Sequence, residues 1–188
     1  MATDRAIMAI SLALRGLLLD ARPKAGELKD AGVDLYLAES FTKKPVLTVS
    51  IFLYRATVST ARRNLPPKIG PDGKKYRPPL PLDLHYMITP WASKPEMQQL
   101  LLAWAMRALE DTPVLPSGFL NHFDPENQPF GPDETVEVVY EPLSIQDMLA
   151  IWEVGKPNIQ VSATYVARVV PIDSRVPMPE GSPVQTRI

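Results

Sequence analysis

Val46-Leu47-Thr48-Val49-Ser50-Ile51-Phe52-Leu53-Tyr54, residues 46–54, is the stretch on which the fold turns. Successive side chains of a strand point to opposite faces. Leu47, Val49, Ile51 and Leu53 therefore share one face, and Thr48, Ser50, Phe52 and Tyr54 the other. Pro45 opens this strand. Leu80 to Thr89 repeats the pattern, with Leu80, Leu82, Leu84, Tyr86 and Ile88 alternating until Pro90 ends it. Ile159 to Val170 is a third strand, with Ile159, Val161, Ala163, Tyr165, Ala167 and Val169 on one side. Val33 to Leu37 and Thr135 to Glu141 supply two shorter strands.

Helical spacing separates these strands. Ile7, Ile10, Leu14, Leu17 and Leu18 form one stripe over residues 3–19, with Thr3 or Asp4 as the cap. Ser93-Lys94-Pro95-Glu96 reads as a capping box opening a helix to about Glu110. Met97, Leu100, Leu101, Trp104, Ala105 and Ala108 would be its buried side. Ser144, with Asp147 at the third helical position, caps a further helix that ends at Val154-Gly155. Residues 111–134 read as irregular. The order predicts an α+β domain, with a mostly antiparallel or mixed β-sheet packed by helices on one face.

Composition bounds the rest. The chain has 188 residues, 20 Lys+Arg, 21 Asp+Glu, no Cys and 21 Pro. One domain over residues 1–170, followed by a Pro-rich tail over 171–188, accommodates that length. Without cysteine there is no disulfide framework, Cys-ligated zinc or thiol catalysis. The apolar N-terminal run stops at Arg15, short of a membrane span. The expectation is a cytoplasmic protein. Proline is about twice its usual share of ~5%, but it concentrates in loops, at element boundaries and in the tail.

Chemistry-bearing motifs are sparse. No glycine-rich phosphate loop occurs. Asp83 and His85 lie two apart on one strand face and, with His122, are the one candidate set for a metal or general base. The bland reading of that face is a partly exposed polar strand. The expectation is no catalytic residue, no metal, no cofactor and no enzymatic activity.

Charge is more informative. Residues 55–79, an excursion from the core, carry seven basic side chains (Arg55, Arg62, Arg63, Lys68, Lys74, Lys75 and Arg77) and one acid, Asp72. Gly70-Pro71-Asp72-Gly73 marks a turn within it. Residues 121–143 carry Asp124, Glu126, Asp133, Glu134, Glu137 and Glu141 and no Lys or Arg. A net charge of −1 thus hides two opposite segments. Either they meet within one molecule, or one chain's basic segment meets an acidic surface of a neighbour. Arg62, Arg63, Lys68, Lys74, Lys75, Arg77, Asp124, Glu126, Asp133 and Glu134 are the candidate protein-interface residues. A nucleic-acid reading with Tyr76 as a stacker is disfavoured, because the basic residues occupy one loop of an otherwise acidic chain.

The chain also carries a resemblance. Ile51 to Thr57 followed by Arg63-Asn64-Leu65-Pro66 is similar to the first signature of the cap, or tail-terminator, proteins of phage-tail-like contractile injection systems. Leu82 to Thr89 resembles the second. Helix 94–110 leading to Thr112-Pro113-Val114-Leu115 resembles the third. Glu141-Pro142-Leu143-Ser144, Trp152 and Ser162 to Val170 complete a likeness over residues 3–173. The resemblance implies a tail-terminator-like fold and a structural, cofactor-free role. It implies a homohexameric ring that closes the baseplate-distal end of the tube and sheath, with tube and sheath subunits as partners. Neither nucleic acid nor membrane insertion belongs to that role. It also implies a free strand edge able to accept a sheath arm, for which Ile159–Val170 and Thr135–Glu141 are the candidates. Two other readings stay open at this point. One is a tail-completion or connector protein of a contractile-tailed phage. The other is a small hydrolase or metal enzyme using Asp83 and His85.

Overall fold

The structure is a computed structural model and describes residues 3–42, 45–62, 64–153, 156 and 158–179. Three expectations fall partly or wholly outside the described residues: the interface candidate Arg63, the Val154-Gly155 helix end, and the tail beyond Pro179.

Two long alternating segments form the centre of the sheet, as their periodicity requires. Strand β2 spans Thr48–Val58 and β5 spans Leu80–Trp91, paired antiparallel from Thr48↔Trp91 to Val58↔Leu82. Around them lie β1 (Gly32–Tyr36), β6 (Val114–Pro116), β7 (Thr135–Tyr140) and β8 (Ala163–Ile172). The sheet order is β1-β2-β5-β8-β7-β6. Only β1–β2 is parallel, so the sheet is mixed and the fold α+β. Strands β3 (Lys68–Ile69) and β4 (Lys75–Tyr76) form a separate hairpin.

One sheet face carries the main core. Helix α1 (Ala6–Asp20) buries Ile10, Leu14, Leu17 and Leu18 there, and α2 (Pro95–Asp111) buries Leu101, Ala105 and Leu109. They meet Val49, Ile51, Leu84, Tyr86, Ile88 and Tyr165 from the sheet. The short helix α3 (Ser117–His122) closes on α1 through Phe123, whose ring lies where a Cβ on Gly16 would be 2.1 Å from its Cζ. Gly16 is what lets the ring approach the helix.

The helices were expected on one face, and α1, α2 and α3 conform. Helix α4 (Ile145–Trp152) and a 3₁₀ turn at Ala38–Thr42 cover the other face. The alternate residues Phe52, Tyr54, Met87 and Trp91 point that way and gather with Phe41 and Trp152 in a second, aromatic core. Phe52 and Tyr54 were legible only as a non-core face. A second layer covers them because Trp152, Met148 and Ile151 of α4 return across the sheet. Ser144 caps α4 as expected, accepting the Asp147 N–H at 3.1 Å.

Several local expectations change. Thr3 Oγ1 accepts from Arg5 N–H rather than capping α1, and Asp4 makes no cap contact. Lys94, not Ser93, precedes α2, without a side-chain cap. Leu100 is exposed, and Trp104 is half-buried with its Nε1–H donating to Ala21 O at 3.1 Å. Strand β5 runs through Pro90, because β8 pairs with it only as far as Ile88 and Pro90 has one neighbour strand. Ile159 and Val161 precede β8 and are exposed. A bulge sets Arg168 and Val169 opposite Asp83, so Val170 replaces Val169 in the core. Val169 has φ 54°, a left-handed conformation held by Asp83 Oδ1, which accepts the Val169 N–H at 2.9 Å. Neither proposed edge strand is an edge: β8 is interior, β7 is covered by β6, and the sheet ends at β1 and β6. The region 111–134 contains β6 and α3, both too short to show a period.

Candidate functional site

The two oppositely charged segments come together in one place. The basic excursion leaves the sheet after Val58, turns through Gly70-Pro71-Asp72-Gly73 and returns at Leu80. Gly73 takes φ +76°, and Gly70 has Tyr76 Cε2 2.6 Å from where its Cβ would lie, so both positions favour glycine. Asp72 locks the tip. Its Oδ1 accepts the Lys74 N–H at 3.2 Å and its Oδ2 accepts the Tyr76 hydroxyl at 2.9 Å. These bonds hold the Asp72 carboxyl below, and the Tyr76 phenol above, their ordinary values.

The chain after β8 meets this hairpin at one bridge. Arg77 N–H donates to Val176 O at 3.1 Å and Met178 N–H to Lys75 O at 2.7 Å, flanking the pair Tyr76↔Pro177. Residues 176–178 therefore lie against β4.

Lys68 ties the ribbon to the body. Its Nζ lies 2.5 Å from Glu134 Oε1 and 2.9 Å from Asp173 Oδ1. Glu134 Oε2 accepts the Gly131 N–H at 2.8 Å. Burial disfavours both charges, but the hydrogen bonds outweigh it: Lys68 is held above its ordinary value and Glu134 below. A second such tie fixes the start of α1, where Arg5 Nε donates to Asp124 Oδ2 at 2.6 Å. Asp124 is held low by that bond, then by Asn127.

The nine candidate interface residues among the described ones thus divide. Lys68, Glu134 and Asp124 are spent on internal ties. Arg62, Lys74, Lys75, Arg77, Glu126 and Asp133 are exposed. Among the described residues, none of these six makes a salt bridge except Lys74, which is 4.0 Å from Asp72. Arg62 and Asp133 line a cleft of about 330 Å³ at the base of the ribbon, with Leu65, Pro66, Pro79 and Pro171. The sequence reading missed Asp173, Arg175, Ile69 and Val176. The last two are exposed apolar groups on the ribbon, and Arg175, next to Val176 in sequence, is exposed and 3.1 Å from Asp4 Oδ1. The ribbon thus leaves the cations Lys74, Lys75 and Arg77 and the apolar Ile69 and Val176 exposed.

The candidate metal set does not assemble. Asp83 is spent on the β8 bulge. His85 is buried, with Nδ1 2.6 Å from Glu141 Oε2 and Nε2 3.2 Å from Thr57 Oγ1. His122 lies at the end of α3 with its ring edge-on to Phe123. Among the described residues no three His, Asp or Glu side chains gather to hold a metal. No described helix is long and apolar enough to cross a membrane.

The Lys68 tie makes a pH prediction. Glu134 titrates lower folded than unfolded, so its contribution is present above the unfolded value of about 4.5 and is lost as pH falls below it. Lys68 titrates higher folded, so its contribution is complete below its ordinary 10.5. Glu134→Gln is expected to cost about 1 kcal/mol at pH 7, because Lys68 keeps Asp173 and part of its hydration. At pH 3.5, below the unfolded value, that cost should be smaller. Urea unfolding at the two pH values measures it, and an equal cost at both would contradict the tie.

A family model described as the Pvc16 N-terminal domain matches residues 9–186. No curated protein matches in sequence. Among solved structures, the PVC sheath/tube terminator of an extracellular contractile injection system, in its extended state, superposes with TM-score 0.63 at 18% identity. The match covers 100% of this chain and 63% of that one. The tube-terminating cap of the anti-feeding prophage superposes with TM-score 0.60 at 15% identity, covering 95% of this chain and 60% of that one. At these identities the likeness is one of fold, and the chain spans less than two thirds of either relative.

Proposed function

The chain belongs to the Pvc16 N-terminal domain family, and from that premise we propose that it is the terminating cap of a contractile injection particle. In this reading it forms a sixfold ring on the last layer of tube and sheath, distal to the baseplate. The single observation that carries it is the superposition on two terminators over nearly the whole of this chain.

The physical logic is one of surfaces. A tube or sheath grows because each added layer offers a copy of the surface that received it. A ring that matches the last layer below, and offers no such copy above, ends growth. It stabilises the extended particle by occupying the end from which subunits leave. The role needs contacts rather than chemistry. It asks for projections with exposed charge, and the Lys68-anchored ribbon supplies Lys74, Lys75 and Arg77 for that purpose. No cofactor enters this reading, and no residue has a catalytic role in it.

Tube subunits polymerised with and without the purified chain test the proposal. Electron micrographs are expected to show shorter tubes bearing a ring at one end. Unchanged length distributions with bare ends would overturn it.

A further inference from the structure

The sheet has two open edges, and the chain treats them differently. Strand β6 is bracketed by Pro113 and Pro116, and Pro113 O already accepts the Val138 N–H at 2.7 Å. Prolines deny an incoming strand the donors it needs. Strand β1 has no proline. Its Gly32 N–H donates inward to Leu47 O at 2.9 Å. Backbone groups alternate along a strand, so Val33 and Leu35 aim their N–H and C=O groups away from β2, at the open side. Leu35 is 38% exposed, and the neighbouring Leu37 and Val46 are each 73% exposed. A regular edge with apolar side chains is a template for another strand.

One outward carbonyl is not free. Arg15, from α1, donates its Nε–H to Val33 O at 2.9 Å. Seven residues further on, Arg22 donates from Nη1 to Ala31 O at 3.1 Å, just before β1 begins. Arg15 from α1 and Arg22 from the turn after it thus reach across to the approach and first half of the edge strand. Among the described residues no other hydrogen bond meets the outward groups of Val33 and Leu35.

We propose that Arg15 is an edge guard, which keeps β1 from pairing with the β1 of a second copy. The second copy's β1 is the occupant because, of the two edge strands among the described residues, it is the proline-free one. An antiparallel pair centred on Leu35 would set Asp34 opposite Tyr36 and Val33 opposite Leu37, with no like charges facing. Arg15 occupies the acceptor that such a pair needs and places a hydrated cation over the approach. Self-association is then left to other surfaces. A chain whose sheet edges are closed to its own kind does not extend itself edge to edge, a property that goes beyond the capping role and does not depend on it.

Arg15→Met keeps a helix-forming side chain and removes the donor. Sedimentation over a concentration series, with amide exchange read at Leu35, is the test. Arg15→Met should self-associate about tenfold more tightly than the unmodified chain, equivalent to about 1.4 kcal/mol, with slowed Leu35 exchange. Arg15→Lys, which retains a donor, should behave like the unmodified chain. Leu35→Pro in the Arg15→Met background should reverse the gain, because that N–H points outward and the fold does not use it. A folded Arg15→Met protein with unchanged association and unchanged Leu35 exchange would overturn the proposal. So would association that Leu35→Pro leaves intact. Should Arg15→Met not fold, Arg15→Ala carries the same readouts.

Discussion

Trp152→Ala is expected to destabilise the chain by about 3–5 kcal/mol, the usual cost of emptying a buried tryptophan site. Trp152 is 2% exposed and lies edge-on to Phe41 at 5.4 Å and to Trp91 at 6.2 Å between ring centroids. Its Nε1–H has no hydrogen-bond partner among the described residues, so the loss is one of apolar contact and packing. Around it, Asn158 donates its amide to the Phe41 backbone O at 3.1 Å, and Trp91 is anchored by its own Nε1–H bond to Ser50 Oγ at 2.8 Å. Helix α4 holds the sheet by its Trp152, Met148 and Ile151 side, while Ile145 and Leu149 face solvent. Truncation should therefore release α4 first, and amide exchange there should rise before global unfolding. Urea unfolding measures the total. A cost below 1 kcal/mol would mean that the second core does not belong to the cooperative fold. Trp104→Ala, by contrast, should cost only about 1–2 kcal/mol, since that ring is half-buried on the outer flank of α2.

The second large effect falls on assembly rather than folding. Reversing Lys74, Lys75 and Arg77 together to glutamate should leave stability within about 1 kcal/mol, because exposed charges contribute little to it. The same change turns a cationic projection anionic. If each residue meets an acidic partner at about 1.5 kcal/mol, the low end for close interfacial charge pairs, three reversals weaken binding roughly a thousandfold. Loss of tube-end binding in sedimentation, with an unchanged melting curve, is the expected outcome. The unmodified chain should in turn bind less tightly as salt is raised. Unaltered binding by the triple variant would remove the ribbon from the interface.

The central strands were legible because period-two alternation survives burial on both faces. Leu47, Val49, Ile51 and Leu53, and Leu82, Leu84, Tyr86 and Ile88, all lie in or against the main core. The Gly70–Gly73 turn and the Ser144 cap were legible because each rests on a local chemical requirement. What failed to show was set by distance or by an interruption. The bulge at Val169 shifts the phase of β8 by one residue, and nothing nearby announces it: the aspartate that holds it is 86 residues away. The inner ties are equally remote. Arg5 and Asp124 are 119 residues apart, Lys68 and Asp173 are 105, and His85 and Glu141 are 56. The charge imbalance singled out two segments, but not which of their members would be spent on internal ties. That division decides which surface is left for a partner. Strand order was invisible for the same reason, and it moved the free edges to β1 and β6.

The most direct measurement is the position of this chain on intact particles. Gold labelling of a tagged chain, imaged on extended particles by electron microscopy, should place label at one end only, opposite the baseplate. Particles made without the chain should lack that density and vary widely in length. Label along the sheath, at the baseplate, or absent from purified particles of normal length would contradict the account.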